Sequence, residues 1–171
     1  EVENNKKKLL NCNIMTLHSV PGPMKFGLPA CLNYGIHLSS SDYILRIDSD
    51  DINDLERVEI VKKFIAKKPN ILLGGSNIIE FDENMIVAGK SRIVPENNDD
   101  ILKFSKYRNP FNGPSVFFHR ETAIMLGGYP LIASNEDYCF WVKFLKNKLP
   151  TYNIQKNLVK MRAGKAIIKR R

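Results

Sequence analysis

An α/β fold, a sheet flanked by helices, is predicted by three features of the sequence. Short apolar runs of strand length alternate with segments whose apolar residues recur at three- and four-residue spacing. One run, Tyr43 to Ile47 (YILRI), is compact and mostly apolar, as suits a strand covered on both faces, and it stops at an acidic turn, DSDD. The chain has 171 residues, 43% hydrophobic and 26% charged, enough apolar matter for one domain with a real core. Strand and helix in alternation predict a parallel sheet. In such sheets ligands bind beyond the carboxyl ends of the strands, where Asp48 stands.

Asn13 to His18 (NIMTLH) reads as a strand entering a Val-Pro-Gly-Pro loop. Gly27 to Ser39 is helical, with Leu28, Cys31, Leu32, Gly35 and Ile36 along one stripe, and a Ser-Ser-Ser-Asp cluster ends it. Tyr43 to Ile47 follows as a strand. From Asp54, a capping residue, Leu55, Val58, Val61 and Ile65 share one helical face, and Lys67, Lys68 and Pro69 close the helix. Ile71 to Gly75 is a strand, and Asn77 to Pro95 has the turns of a small antiparallel excursion. Asp99 to Tyr107 is a helix, Ser115 to His119 a strand, and Glu121 to Leu126 a short helix stopped by Gly127-Gly128. Tyr138, Trp141, Val142, Leu145 and Leu149 mark a further helix, and Tyr152 to Met161 returns to β.

Composition removes several classes. Nine Phe and six Tyr among scattered Gly and Pro do not describe a disordered segment. Apolar stretches such as Ile71 to Leu73 fall far short of the ~20 residues needed to cross a bilayer, and no signal-peptide pattern is present. Cys12, Cys31 and Cys139 are odd in number and lack CxxC spacing, so a reducing cytoplasm is expected. The net charge is +8, but seven basic residues and no acid lie between Lys156 and Arg171, which leaves the rest at only +1. A nucleic-acid binder would spread that surplus over a folded face, so no nucleic acid is expected. The basic tail, residues 156–171, reads either as a solvated end or as a foothold on anionic lipid at the inner membrane face or on a polyanionic glycan precursor.

Asp48, Asp50 and Asp51 crowd the end of an apolar strand with only Arg46 basic beside them in sequence. Like charges so close need a cation or hydrogen bonds. Mg²⁺ or Mn²⁺ would serve, since such ions take oxygen ligands and keep positions for substrate phosphate, which makes a diphosphate leaving group plausible. An EF-hand fails on the same letters, because Ile52 and Asn53 occupy positions that need an oxygen ligand and Gly. The DDxxD pattern of Asp50, Asp51 and Asp54 belongs to a long helix, whereas a strand precedes it here. A helix-capping acidic turn without a ligand stays open as the plainer reading.

Asn135-Glu136-Asp137 opens the helix of Trp141, where a carboxylate is stabilised, and Gly127-Gly128-Tyr129-Pro130 before it can bring backbone close to a ligand. A carboxylate across a cleft from the metal could accept the proton of an attacking hydroxyl, and Asp137 is the preferred candidate. The loop Asn109 to Ser115 (NPFNGPS) offers the Asn112 amide, and Tyr129 a ring face, for sugar recognition. His18, His37 and His119 form no cluster and read as structural.

Four blocks, GLPACLNYGIHLSSSDYILRIDSDD, NPFNGPSVFFHRETAIMLGGYP, NEDYCFWVKFL and LVKMRAG, resemble in order and spacing the family 2 glycosyltransferases of the bacterial polysaccharide-building type. The resemblance runs from about Asn13 to the end. It implies a GT-A fold, a Rossmann-like mixed sheet flanked by helices, and inverting transfer from a nucleotide-diphosphate sugar to a glycan or lipid-linked acceptor. It implies that Asp48, Ser49 and Asp50 form the DxD donor site, with Asp50 and Asp48 on Mn²⁺ or Mg²⁺, and that Gly27 and Asn33 line the donor side. Asp137 is then the general base, and Glu136 with Asn112, Gly113 and Tyr129 seats the acceptor.

The family's first strand and second strand, the latter ending in an Asp-rich turn, have no counterpart before Asn13, so residues 1–171 are expected to be a single partial domain, incomplete at the N-terminus. Such a gap would expose a sheet edge suited to self-association. A non-catalytic remnant or glycan-binding module is the alternative, and a basic-tailed module for anionic surfaces a third reading.

Overall fold

The computed structural model describes residues 27–82 and 87–163; the expected strand Asn13 to His18, the charged start and the last part of the basic tail lie outside the described residues. Helix α1 spans Gly27–Leu38 and is followed by β1, Tyr43–Leu45, and the two-residue β2, Ile52–Asn53. Helix α2 is Arg57–Lys67, β3 Leu73–Phe81, β4 Val87–Arg92 and α3 Asn98–Phe104. A 3-10 turn at Gly113–Ser115 leads into β5, Phe117–His119, then α4, Arg120–Met125, α5, Glu136–Lys146, and β6, Thr151–Arg162.

The strands make one mixed sheet in the order β1-β5-β3-β6-β2, with β4 beside β3. Among the described residues only β3 and β6 are parallel; β1 with β5, β5 with β3, β2 with β6 and β4 with β3 are antiparallel. The parallel sheet expected from element alternation is thus corrected to a mixed one. A short link forces β3 and β4 into a hairpin, whereas the β3 to β6 crossover is long enough to bring the chain back in the same direction. Apolar runs report burial and carry no direction.

Adjacent Phe117 and Phe118 point to opposite faces of β5, and a core forms on each. Phe118 joins Tyr129, Phe140, Trp141 and Phe144 in the larger one, and Phe117 joins Val61, Ile71, Ile154 and Leu158 in the other. The Phe117 ring lies so close over Gly74 that a Cβ there would fall 2.3 Å from it.

Strand β1 is half-buried, and both its faces meet core as expected: Ile44 packs on the larger cluster, Tyr43 and Leu45 on the other. Two details differ from expectation. In α2 Val61 is buried and Ile65 packs beside it, but Val58, like Leu55 just before the helix, faces solvent, and Arg57 is buried instead. Lys156, Lys160 and Arg162 belong to β6, so the basic tail is a sheet strand at least to Arg162. His119 is structural as expected: it caps α4 by accepting from the Thr122 N–H and packs edge-on against Tyr43. Among the described residues no helix is long and apolar enough to cross a membrane.

Candidate active site

Strand β1 hands its chain to the acidic turn through Arg46, whose backbone is fixed on both sides. Its N–H donates to the Val116 carbonyl at 2.9 Å and its own carbonyl accepts from Arg57 Nη2 at 2.9 Å. The guanidinium forks onto Asp48, Nε to Oδ1 at 3.2 Å and Nη2 to Oδ2 at 3.3 Å, and the Arg46 side chain is only 9% exposed. The turn closes where the Asp51 N–H meets the Asp48 carbonyl at 3.2 Å.

The three carboxylates have separate tasks. Asp48 is taken up by Arg46. Asp51 Oδ1 accepts the backbone N–H of Arg162 at 2.8 Å, which ties the turn to β6. Burial raises the Asp51 pKa, the Arg162 N–H opposes that, Asp50 and Asp48 add to the rise, and Arg46 opposes it. Asp50 and Ser49 project into solvent, and the Asp50 carbonyl rather than its carboxylate meets Arg162 Nε, at 3.4 Å. Beneath the turn Arg57 is 2% exposed and also binds Asn53 Oδ1. Burial lowers its pKa to about 10, against the pull of Asp48 and Asp51. Positive charge at this corner therefore comes from Arg46, Arg57 and Arg162, two of which sequence proximity did not supply.

The second acidic site lies across Gly113. Asp137 is half-buried in the first turn of α5, after Asn135 adopts a left-handed conformation with φ 59°. Its Oδ1 accepts the Tyr138 N–H at 2.6 Å and its Oδ2 accepts from Asn109 Nδ2 at 3.3 Å. A Cβ on Gly113 would stand 3.1 Å from both Asp137 Oδ2 and Arg46 Nη1, so glycine alone leaves the line between them open. Gly113 thus lies between the Arg46 guanidinium, which holds Asp48, and the Asp137 carboxylate. Glu136 is half-buried beside Asp137.

Other expected site residues have different surroundings. Tyr129 is 2% exposed and packs against Phe118, Phe140 and Trp141, so its ring offers no open face to a sugar. Burial raises its phenol pKa; the charge of Arg46 and a hydrogen bond from the Arg46 side chain oppose the rise, and Asp137 and Asp48 add to it. Asn112 is 1% exposed, not an open amide, because its Nδ2 donates to the carbonyls of Ser76 at 2.9 Å and Arg92 at 3.1 Å. Asn33 grips the Tyr129 backbone, Nδ2 to the carbonyl and Oδ1 from the N–H, both at 2.8 Å. The Gly127-Gly128 turn approaches Asn33 and the Lys143 ammonium rather than open space. Gly27, with φ 69°, starts α1 in solvent.

Arg46, Arg57 and Asn109 are residues that sequence reasoning passed over. A signal for Arg46 existed, an arginine in an otherwise apolar strand two positions before an aspartate; nothing local marks the other two.

Among the described residues no three His, Cys, Asp or Glu side chains converge on a point that could hold a metal ion. The donor set still fits a Mg²⁺ or Mn²⁺ ion that relies on phosphate and water for most ligands, because Asp50 presents an exposed carboxylate.

Comparison with known proteins gives the family and the fold. The profile described as Glycosyl transferase family 2 matches residues 14–127. The UDP-Gal:alpha-D-GlcNAc-diphosphoundecaprenol beta-1,3-galactosyltransferase of Escherichia coli is 38% identical over 96% of this chain and 58% of that protein. The amylovoran biosynthesis glycosyltransferase AmsE of Erwinia amylovora is 34% identical over 93% of this chain and 59% of its own length. The chain therefore spans about three fifths of these relatives. Among solved structures, S. aureus TarS 1-349 in complex with UDP-GlcNAc superposes with a TM-score of 0.72 at 16% identity, covering 95% of this chain and 46% of that one. The mannosyltransferase PcManGT from Pyrobaculum calidifontis, in complex with GDP-Man and Mn²⁺, gives 0.63 at 14% identity, covering 99% and 45%. These two likenesses show the fold.

Proposed function

The chain belongs to glycosyl transferase family 2 and has the GT-A fold, and from that premise we propose that the protein transfers a sugar, with inversion, from a nucleoside-diphosphate sugar to a glycan or lipid-linked acceptor in bacterial surface polysaccharide synthesis. The observation that carries this reading is that Asp48, held by Arg46 beyond the carboxyl end of β1, and Asp137 lie to either side of Gly113.

Asp50 and Asp48 would hold Mn²⁺ or Mg²⁺ against the donor diphosphate. When bound, the ion supplies positive charge that stabilises the departing diphosphate. The remaining work falls to side chains of the chain. Asp137, in the first turn of α5, accepts the proton of the acceptor hydroxyl through Oδ2. The oxygen attacks the anomeric carbon from the face opposite the diphosphate, the new C–O bond forms as the bond to diphosphate breaks, and the configuration inverts. Asn109 orients the base, and Glu136 lies where it can meet a further acceptor hydroxyl. Acceptor recognition passes to the open rim around Gly113, since Asn112 and Tyr129 are enclosed. A diphosphate-linked acceptor of the kind named for the Escherichia coli relative fits a protein of net charge +8.

Steady-state transfer by the intact protein tests the assignment. Asp137→Asn is expected to lower kcat by about 10³-fold, the middle of the range for removing a general base. Asp50→Ala is expected to raise the donor KM and the metal concentration needed for half-maximal rate. Full turnover in Asp137→Asn would remove the base assignment, and an unchanged metal requirement in Asp50→Ala would remove the metal ligand.

A further inference from the structure

We propose that the turn Lys106-Tyr107-Arg108 binds the acceptor and selects one that carries a diphosphate on the sugar offering the attacking hydroxyl; this rests on the assignment of Asp137 as the base. The turn follows α3 and is tied at both ends to the first turn of α5. Before it the Ser105 carbonyl accepts from the Tyr138 hydroxyl, and after it Asn109 Nδ2 donates to Asp137 Oδ2 at 3.3 Å. Its own N–H groups are engaged by α3, Lys106 on the Lys103 carbonyl at 3.3 Å and Tyr107 and Arg108 on that of Phe104 at 3.0 and 3.1 Å. Three consecutive side chains are therefore presented from a fixed backbone beside the proposed base.

All three are exposed, Tyr107 by 85%. Among the described residues neither the Lys106 ammonium nor the Arg108 guanidinium has an ion-pair partner, whereas Lys103, in the last turn of α3, meets Asp100 at 3.6 Å. Cations past a helix end also suit its dipole, but that effect fades within the last turn, where Lys103 stands, and it gives no role to a ring exposed between two further charges. A phosphate-bearing sugar uses all three. Arginine binds two phosphate oxygens with parallel N–H groups, lysine adds a compact charge, and an aromatic face packs on a sugar ring. That face is the one the enclosed Tyr129 does not offer. The spacing agrees with the chemistry: Arg108 is the residue next to Asn109, which touches the base, and one sugar ring separates an attacking hydroxyl from an anomeric diphosphate.

The test is binding of hexyl diphosphate to the intact protein in EDTA, where the donor site is denied its ion. The unaltered protein should bind it, and Lys106→Gln and Arg108→Gln should each weaken binding about tenfold, the scale of one hydrogen bond between charged groups. With metal restored, the same probe should inhibit transfer competitively against the acceptor and not against the nucleotide sugar. No binding to the unaltered protein, equal affinity in all three proteins, or competition with the donor would each overturn the proposal. Vesicles of phosphatidylglycerol supply similar phosphate chemistry from a bilayer. Variants that lose vesicle binding and keep their affinity for hexyl diphosphate would show that the turn reads a membrane surface, which also overturns it. Full turnover in Asp137→Asn is a different result: it defeats the base assignment, and with it the acceptor role of the turn, even where the probe binds.

Discussion

Arg57 carries a charge into the interior directly beneath three aspartates, and its burial depresses its pKa to about 10 even though Asp48 and Asp51 favour the charged form. Two of its nitrogens are used, Nη2 on the Arg46 carbonyl and Nη1 on Asn53 Oδ1, while its buried Nε has no partner. Arg57→Leu would leave both acceptors unmatched and Asp48 and Asp51 without their buried counter-charge. The expected loss is about 3 kcal/mol, by analogy with breaking one side of a buried polar pair. It should be read as a lower urea midpoint at constant m-value; a loss under about 1 kcal/mol would mean that Arg162 alone anchors the turn. The residue also marks a limit of sequence reading. Crowded carboxylates announced a need for compensation, and a metal was the evident supplier, but Arg57 lies off the stripe of Leu55, Val58, Val61 and Ile65 that the sequence marks, of which Val61 and Ile65 meet the core and Leu55 and Val58 do not. Only the fold reveals that part of the compensation is built in.

At the level of elements, helices α1 and α5 were legible because their apolar stripes are long enough to set a period, and β6 because it is a sustained β run. Strand directions were not legible, since an apolar residue reports that it is covered and not which neighbour covers it. The two-residue β2 has too few positions to leave a pattern. The Gly127-Gly128 turn was read correctly as a helix stop and incorrectly as a ligand approach. Gly128 has φ 61°, and a Cβ on it would lie 2.3 Å from Asn33 Oδ1, so the close approach is between α1 and the end of α4. Gly128→Ala combines a left-handed alanine with displacement of the Asn33 amide, and about 2 kcal/mol or more of destabilisation is expected. Asn33→Ala should cost about 1–2 kcal/mol by releasing both backbone groups of Tyr129. The two losses should be less than additive in the double variant, because removing Asn33 opens the space the new methyl needs. Strict additivity in urea denaturation would show that the strain at Gly128 is purely backbone.

For the molecule as a whole, the competing readings differ in which ligand the folded chain holds and the unfolded chain does not. A transferase must hold the diphosphate of its donor through the Asp48–Asp50 turn, whereas a glycan-binding remnant needs only the rim around Gly113 and Glu136. A ligand at a hundred times its Kd adds about 2.7 kcal/mol to stability. For a chain of 171 residues that corresponds to roughly 5–10 °C in Tm. A nucleoside diphosphate with Mn²⁺ is therefore expected to raise Tm by that amount, and EDTA to cancel the rise. The carboxylates divide the outcome further. Asp50→Ala should lose the nucleotide-dependent shift, because of the two carboxylates assigned to the ion Asp50 is the exposed one, Asp48 being held by Arg46 as well, and Asp51 is tied to Arg162. Asp137→Asn should keep the shift while losing turnover, because the base lies across Gly113 from the acidic turn and acts on the acceptor. A Tm that responds to an oligosaccharide and not to nucleotide would instead assign the chain to glycan binding. A nucleotide shift surviving in Asp50→Ala would mean that the donor is held by the neighbouring guanidinium groups without the turn.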